Sequence, residues 1–335
     1  SLAEKWKWAL KQDAGEEYWI AYSFEKWMHE NSYVGHICDD DSIYPTLQDI
    51  LNHPGAKIIK SAKGSVTGKN RKTFCFCEGD SGKKVLKEIA ILLKVGRNNE
   101  IIEADISNLS QTVDLENLSL VWLGTIPLKE SRTFLINLYK NSSAIEIKKN
   151  LLTTLAVHPS HQDIVHFLKK VIESREDSEL RKSAVFWLGN QDFAGTAEYL
   201  KNVIYGDRSR EVRKEAVFAL SLIDSEEATN MLIDVARNNR ELKIRKSAIF
   251  WLGQKASKKS ADFLEETVYS NEETEIQKQA VFALAQLDND KSLDKLIKVA
   301  QTHPNIKVRK NAIFWLGQSE DERALNAIVE FIKRK

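Results

Sequence analysis

The chain has 335 residues, of which 42% are hydrophobic and 29% charged, and its formal net charge is +1. That length allows two domains or one extended array, and no apolar run approaches the length needed to cross a bilayer, so we expect a soluble protein. The near-zero net charge argues against a dedicated nucleic-acid-binding protein, which would be strongly basic.

Residues 1–118 contain no repeat and predict a small α+β domain. Ala3–Lys11 has a helical pattern, and Tyr18–Trp27 alternates aromatic and polar positions. Later runs are typical of strands because apolar and β-branched residues dominate them. These runs are Ala56–Ala62, Thr73–Glu78, Glu88–Val95 and Ile101–Val113. Between the last two, Gly96–Asn99 predicts a hairpin turn.

Two local motifs in this part are weak. The three cysteines, Cys38, Cys75 and Cys77, form no spaced framework, and no second cysteine pair completes a zinc site. Gly64–Asn70 superficially resembles a phosphate-binding loop. It has one residue too few between its glycines, and Asn70 stands where Ser or Thr would hold magnesium. We expect structural roles for both motifs.

A ten-residue block recurs in register through the rest of the chain. Each copy begins 32 residues after the previous one: RKSAVFWLGN from Arg181, RKEAVFALSL from Arg213, RKSAIFWLGQ from Arg245, QKQAVFALAQ from Gln277 and RKNAIFWLGQ from Arg309. Fainter copies are Lys148–Leu152 and, for the second half of the block, Val121–Gly124. A fixed period of this size is the signature of a repeat architecture, which we expect over residues 119–335.

Between the blocks lies a second helical pattern, in which apolar residues recur at spacings of three and four, as in Leu293–Ala300. Each unit is therefore a helical hairpin, and about six or seven of them must stack to bury their apolar faces. Gly189, Gly253 and Gly317 are expected to end the block helix in a left-handed conformation. One block position alternates in size, which predicts that large and small side chains interleave between layers: Trp187, Ala219, Trp251, Ala283 and Trp315.

The block resembles the HEAT-like repeats of the short E-Z type, which are named after phycobilin lyase subunits. Their second helix carries V-R-x-x-A-x-x-A-L-G, matched here by Val212-Arg213, Ala216, Ala219 and Leu220 and by Val308-Arg309, Ala312, Leu316 and Gly317. The resemblance covers residues 119–335 and extends to uncharacterised bacterial HEAT-repeat proteins. It implies a mainly α fold, a right-handed α-α superhelix (HEAT/ARM-like solenoid) that follows the α+β domain. It implies no particular function, because such repeats serve many roles.

Two columns of the block helix are candidates for partner binding. At 100° per residue, Phe186 and its equivalents lie opposite the apolar arc, and a lysine stands four residues before each. Second helices line the inner surface of a solenoid, so the columns form parallel ladders there. They act either as a binding groove or as packing between helices. The residues are Phe186, Phe218, Phe250, Phe282, Phe314, Lys182, Lys214, Lys246, Lys278 and Lys310.

Other repeated or clustered residues are expected to be structural. The arginine column, Arg181, Arg213, Arg245 and Arg309 with Gln277 in the fourth block, should bond a carboxylate or carbonyl of the next unit. The tryptophan column borders the apolar arc and is interpreted as packing. His158, His161 and His166 do not share one helix face, so no metal site is expected there.

These features predict a non-catalytic, monomeric scaffold that binds a protein or peptide, with no cofactor. The alternative is a nucleic-acid-binding helical-repeat protein that uses the lysine and phenylalanine ladders. HEAT-like deoxyhypusine hydroxylases hold iron with His-Glu pairs inside the repeats, whereas His29-Glu30 lies outside them here, and nothing marks a bilin pocket. Because the first residue is Ser1 rather than Met, an export signal could have been removed, and the compartment stays open.

Overall fold

The computed structural model describes residues 1–12, 14–37, 45–52, 58–59, 72–77, 83–255, 257–287 and 290–333. Cys38 and the Gly64–Asn70 loop lie outside these residues. The chain divides into two compact units, Ser1–Phe167 and Leu168–Lys335. Among the described residues, no helix combines the length and the apolar character needed to span a bilayer.

The first unit contains two β-sheets and several helices. Its strands are β1 (Tyr18–His29), β2 (Tyr33–Ile37), β3 (Ile58–Ile59), β4 (Lys72–Cys77), β5 (Lys84–Val95), β6 (Ile101–Asn108) and β7 (Ser119–Thr125). Its helices are α1 (Leu2–Ala9), α2 (Leu47–Leu51), α3 (Leu128–Asn141) and α4 (Ile145–Ala156). The larger sheet has the order β3-β7-β1-β5-β6, and β2 pairs with β4. The predicted small α+β region at the N-terminus is confirmed.

Strand β1 lies at the centre of the larger sheet, and its first seven residues are buried on both faces. It pairs antiparallel with β5 and parallel with β7. On one face Trp19 joins an apolar cluster with Leu47 of α2. On the other face the Tyr22 hydroxyl lies 2.9 Å from the Ser131 hydroxyl of α3, and the Phe24 ring stacks at 4.0 Å on the His158 ring. The predicted hairpin turn at Gly96–Asn99 is confirmed, because it joins the antiparallel strands β5 and β6.

One predicted repeat copy is wrong. Val121–Gly124 does not belong to a block helix, because it lies in β7, which pairs with both β1 and β3. A short apolar run fits a buried strand as well as a buried helix, and here the neighbouring strands decided between them. Lys148–Leu152 does lie on a second helix, α4. The division into domains at residue 118 stays a prediction.

The second unit is helical throughout its described residues. Its helices are α5 (Gln162–Glu173), which contains the division between the units, α6 (Ser178–Gly189), α7 (Thr196–Gly206), α8 (Arg210–Leu222), α9 (Glu226–Asn238), α10 (Leu242–Lys255), α11 (Lys258–Tyr269), α12 (Thr274–Ala285), α13 (Asp290–Thr302), α14 (Ile306–Leu316) and α15 (Glu322–Lys333). The block helices α6, α8, α10, α12 and α14 contact one another in order and form one layer. Helices α7, α9, α11, α13 and α15 form the other.

Short polar residues start several of these helices. The side chains of Asp177, Ser209, Ser257 and Asn305 each accept a hydrogen bond from a backbone N–H of the first turn. Such caps satisfy donors that have no partner within the helix. The polar connections therefore define where these helices begin, and the apolar stripe that follows defines which side is buried.

The block glycines do not adopt the predicted left-handed conformation. Gly189 is the last residue of α6, Gly253 lies within α10, and Gly317 is the residue at which α14 ends, but none of the three has a positive φ. A Cβ on Gly189 would lie 2.7 to 2.9 Å from backbone and side-chain atoms of Ala219. A Cβ on Gly253 would meet Ala283 in the same way. Gly189 and Gly253 therefore allow neighbouring block helices to approach closely, opposite the small members of the alternating column.

Replacing Gly189 by Ala should lower the free energy of unfolding by about 1–3 kcal/mol, because the added methyl group overlaps the backbone of the adjacent helix. The matched control is Gly206→Ala. Gly206 ends a helix, and nothing lies within 4 Å of the Cβ it would gain, so this variant should be neutral or slightly more stable. Urea unfolding of both variants measures the difference, and equal stabilities would refute the close-approach role of Gly189.

Candidate binding surface

Eight aromatic rings form a continuous row along the layer of block helices. Each ring contacts the next, with centroids 4.4 to 6.0 Å apart, within the range of favourable aromatic pairs. We call this row the aromatic ladder. In order, its rings are Trp187, Phe186, Phe218, Trp251, Phe250, Phe282, Trp315 and Phe314.

Contacts within the ladder are of two kinds. Within a block, a phenylalanine meets the tryptophan that follows it edge to face, as Phe250 meets Trp251. Between blocks, rings stack more nearly parallel, as Phe218 stacks on Trp251 at 29° and Phe250 on Phe282 at 12°. Alanine replaces tryptophan in every second block, and those alanines are the fully buried Ala219 and Ala283. The predicted interleaving of large and small side chains between layers stays a prediction.

The ladder is only half-buried. Seven of its rings are of intermediate exposure, and Phe314 is 55% exposed. The phenylalanines therefore pack against neighbouring helices and also present ring surface to solvent. The interpretation of this column as packing describes one side of the rings, and its interpretation as a binding groove describes the other side. The tryptophans, interpreted from the sequence as packing alone, lie in the ladder beside the phenylalanines. The wheel angle of a single helix did not indicate this, because the stacking partners belong to adjacent helices.

The lysine column runs along one edge of the ladder and is paired in part with glutamates. Lys182 and Lys214 lie 3.2 and 3.3 Å from the carboxylates of Glu179 and Glu211, one turn earlier on the same helix. Lys278 lies 3.1 Å from Glu275, and the same carboxylate is 3.8 Å from Lys246 on the preceding block helix. Lys310 is exposed. These glutamates reduce the positive potential of the column.

Glutamates at this edge have shifted pKa values. Hydrogen bonding to Lys278 holds the pKa of Glu275 below its usual value, and the charges of Lys278 and Lys246 act in the same direction. Glu215 on α8 is the opposite case, because burial raises its pKa. The positive charge of Lys182 opposes that shift, and the negative charge of Glu179 adds to it.

The arginine column joins consecutive units, as predicted. The Arg181 guanidinium pairs with Asp207, which precedes the next block helix, and its Nε donates to the Ile172 carbonyl at 2.7 Å. Arg213 and Arg245 pair in the same way with Glu241 and Glu272, at 2.7 and 2.6 Å. Arg181, Arg213 and Arg245 therefore link their own hairpin to the turn of the following unit. Arg309 differs, because it donates to the His303 and Pro304 carbonyls in the turn before its own helix.

Gln277 replaces arginine where the next turn has no carboxylate. Its amide donates to the Ser270 carbonyl at 2.7 Å, and the following turn reads His303-Pro304-Asn305. An arginine at this position would have no carboxylate in the turn to pair with, and a buried unpaired charge is costly. The loss of the arginine at position 277 therefore coincides with the loss of the carboxylate in the following turn.

The histidine cluster does not converge on a common point. His158 is buried, lies 2.8 Å from the Ser131 hydroxyl and bonds the Thr154 carbonyl, whereas the His161 Nδ1 accepts a hydrogen bond from the Asp163 backbone N–H at 3.1 Å. His166 is exposed. Within the part of the chain that the structure describes, no group of three or more His, Cys, Asp or Glu side chains could hold a metal ion.

Paired helices stacked at a fixed 32-residue period, with block helices in one layer and their partners in the other, define an α-solenoid. Comparison with known families identifies its type. Residues 165–250 and 229–303 match the HEAT repeats, and residues 308–334 match the PBS lyase HEAT-like repeat. These residues are HEAT repeats, and the resemblance to the phycobilin lyase type is confirmed. No curated protein sequence matches the chain.

Several solved structures share weak similarity with the chain. Human deoxyhypusine hydroxylase in complex with glycerol is 14% identical over 60% of this chain and 75% of that protein, with a TM-score of 0.31. The CpcE–CpcF complex of phycocyanin lyase from Nostoc sp. PCC7120 is 18% identical over 58% and 79%, with a TM-score of 0.35. Lipovitellin is 12% identical over 75% and 32%, with a TM-score of 0.43. None of these scores supports a functional conclusion.

Proposed function

We propose that the chain is a non-catalytic scaffold that binds a protein or peptide along the aromatic ladder. The observation that carries the proposal is the exposed surface of eight contiguous rings on one helix layer. Half-buried phenylalanine and tryptophan side chains in a continuous stripe are costly to leave in water, and such stripes mark interaction sites. Large aromatic residues also supply much of the binding energy at protein interfaces.

The charges beside the ladder favour a protein partner over nucleic acid. Proteins that bind nucleic acid place unpaired cations against the phosphates, and binding strength depends on how many phosphates they neutralise. Here Lys182, Lys214 and Lys278 each have a glutamate within 3.3 Å, and the net charge of the chain is +1. A phosphate backbone laid along the column would be repelled by those carboxylates.

The proposal is tested by removing two central rings. Phe218→Ala with Phe250→Ala should leave a cooperatively folded protein that no longer retains partners recovered by affinity capture with the wild-type chain. The matched control replaces Phe193 and Tyr205 by Ala, since both are exposed aromatics outside the ladder. Captured proteins are compared by quantitative mass spectrometry, and partners must be lost from the ladder variant and kept by the control.

A ladder that serves only to hold the helices together would give a different result. In that case Phe218→Ala with Phe250→Ala would lose cooperative thermal unfolding. No protein would then be captured by the wild type and the control and lost from the ladder variant. Phe314→Ala separates the two roles further, because that ring is 55% exposed and its removal should change stability by less than about 1 kcal/mol. Partner capture weakened by Phe314→Ala at unchanged stability supports binding.

A further inference from the structure

The charged edge of the ladder differs between its two ends. Seven residues before each ladder phenylalanine, the block helices carry Glu179, Glu211, Lys243, Glu275 and Lys307 in turn, whereas the position four residues before is always lysine. On α6 and α8, each lysine therefore has its own carboxylate. On α10 and α14, a second lysine stands where that carboxylate would be.

The excess positive charge is concentrated over the last three block helices. This half of the edge carries Lys243, Lys246, Lys278, Lys307 and Lys310, with Glu275 as the carboxylate among them. Glu275 is shared, because it lies 3.1 Å from Lys278 and 3.8 Å from Lys246. At these two positions of the block, five lysines stand against one carboxylate, so this half of the edge carries excess positive charge although the chain as a whole is close to neutral.

The opposite edge of the ladder carries a row of amides. Four residues after the phenylalanine, exposed amides stand in four of the five block helices: Asn190, Gln254, Gln286 and Gln318. The ladder is therefore an apolar stripe between a neutral amide edge and a lysine edge. A partner that fits the ladder has apolar side chains towards the rings. It also has negative charge towards the lysine edge, at the end that lies over α10 to α14.

We infer that the ladder binds an extended acidic peptide segment, with its carboxylates over α10 to α14 and an uncharged portion over α6 and α8. This inference rests on the proposed function and adds the chemistry of the partner. Packed helices lie about 8–10 Å apart, and a polyproline II peptide rises about 9 Å in three residues. Every third side chain of such a peptide meets one rung of the ladder, and carboxylates at the remaining positions reach the lysines.

The test uses defined peptide probes with the full chain. Fluorescent peptides of about twelve residues repeat Pro-Leu-Glu, Pro-Leu-Gln or Pro-Leu-Lys, so that they share the polyproline conformation and the apolar period and differ only in charge. Fluorescence anisotropy should show the acidic peptide binding at least about tenfold more tightly than the neutral one, and the basic peptide more weakly than both. The preference for the acidic peptide should fall as the salt concentration rises.

The decisive variant is Lys243→Glu with Lys307→Glu. Three other copies of the repeat already carry glutamate at this position, so the variant should fold normally. It should bind the acidic peptide about tenfold more weakly and leave the neutral peptide unchanged. The matched control is Lys170→Glu with Lys258→Glu, which makes the same change in net charge at exposed lysines of α5 and α11. The control should bind like the wild type.

Failure of this inference differs from failure of the proposed function. If the three peptides bind equally and Phe218→Ala with Phe250→Ala abolishes their binding, the ladder binds peptides without a preference for acidic ones, and the inference is overturned alone. If no peptide binds, or the ladder variant leaves their binding unchanged, the inference is overturned, and the capture experiment decides the proposed function separately. If a single-stranded oligodeoxythymidine of equal charge displaces the acidic peptide at equal concentration, the site recognises polyanions in general, and the inference is overturned.

Discussion

Replacing Asp207 by Ala should lower the free energy of unfolding by about 3–5 kcal/mol, because it leaves a buried guanidinium without its counter-charge. The side chains of Arg181 and Asp207 are 3% and 7% exposed, so water cannot replace the lost carboxylate. The same carboxylate also accepts a hydrogen bond from the Ser209 backbone N–H at 2.7 Å, next to the start of α8. Urea unfolding followed by circular dichroism measures the loss.

An exposed pair between neighbouring helices provides the comparison. Arg237 and Glu266 lie 2.6 Å apart, yet their side chains are 49% and 64% exposed, so Glu266→Ala should cost less than about 1 kcal/mol. The repeat copy in α12, which carries Gln277 in place of arginine, suggests how the stability lost in Asp207→Ala can be restored. Arg181→Gln combined with Asp207→Asn should be more stable than Asp207→Ala, because it removes the unpaired charge as Gln277 does. A double variant as unstable as Asp207→Ala would contradict the role of the buried pair.

Between pH 7 and pH 5, the stability of the wild-type chain should fall more steeply than that of His158→Gln. Burial lowers the pKa of His158 to about 3, and the positive charges of Arg132 and Lys26 act in the same direction, against the hydrogen bond to the Thr154 carbonyl. The unfolded histidine takes up a proton as the pH falls through about 6.5, whereas the folded one stays neutral. The unfolded state therefore binds more protons in this interval.

The size and sign of the effect follow from that difference. Stability contributed by neutral His158 is fully present above about pH 6.5, and it is lost at about 1.4 kcal/mol per pH unit as the pH falls further towards 3. Glutamine keeps an amide that can bond to Ser131 and cannot take up the proton. Urea unfolding at several pH values above 5 avoids most carboxylate titration, and parallel curves for the two proteins would refute the prediction.

The sequence by itself determined the repeat architecture. Five copies of one block in register fixed the 32-residue period, and helical periodicity within each copy placed the phenylalanines opposite the buried arc. The role of the arginine column also followed from the residue type and its position at the edge of that arc. The period and the angles around a helix belong to the sequence of one element, and the bonding capacity of arginine belongs to its side chain, so these predictions needed no knowledge of the neighbouring elements.

Properties that involve two elements depended on the tertiary structure. Val121–Gly124 became a strand because β1 and β3 flank it, and Gly189 has no room for a Cβ because Ala219 packs against it. Trp251 stacks on Phe218 of the preceding block helix. Periodicity gives the angle of a side chain around its own axis, but the distance and offset between adjacent helices decide which side chains meet. For that reason the sequence predicted the phenylalanine and tryptophan columns, but it did not predict that their rings stack into one aromatic ladder.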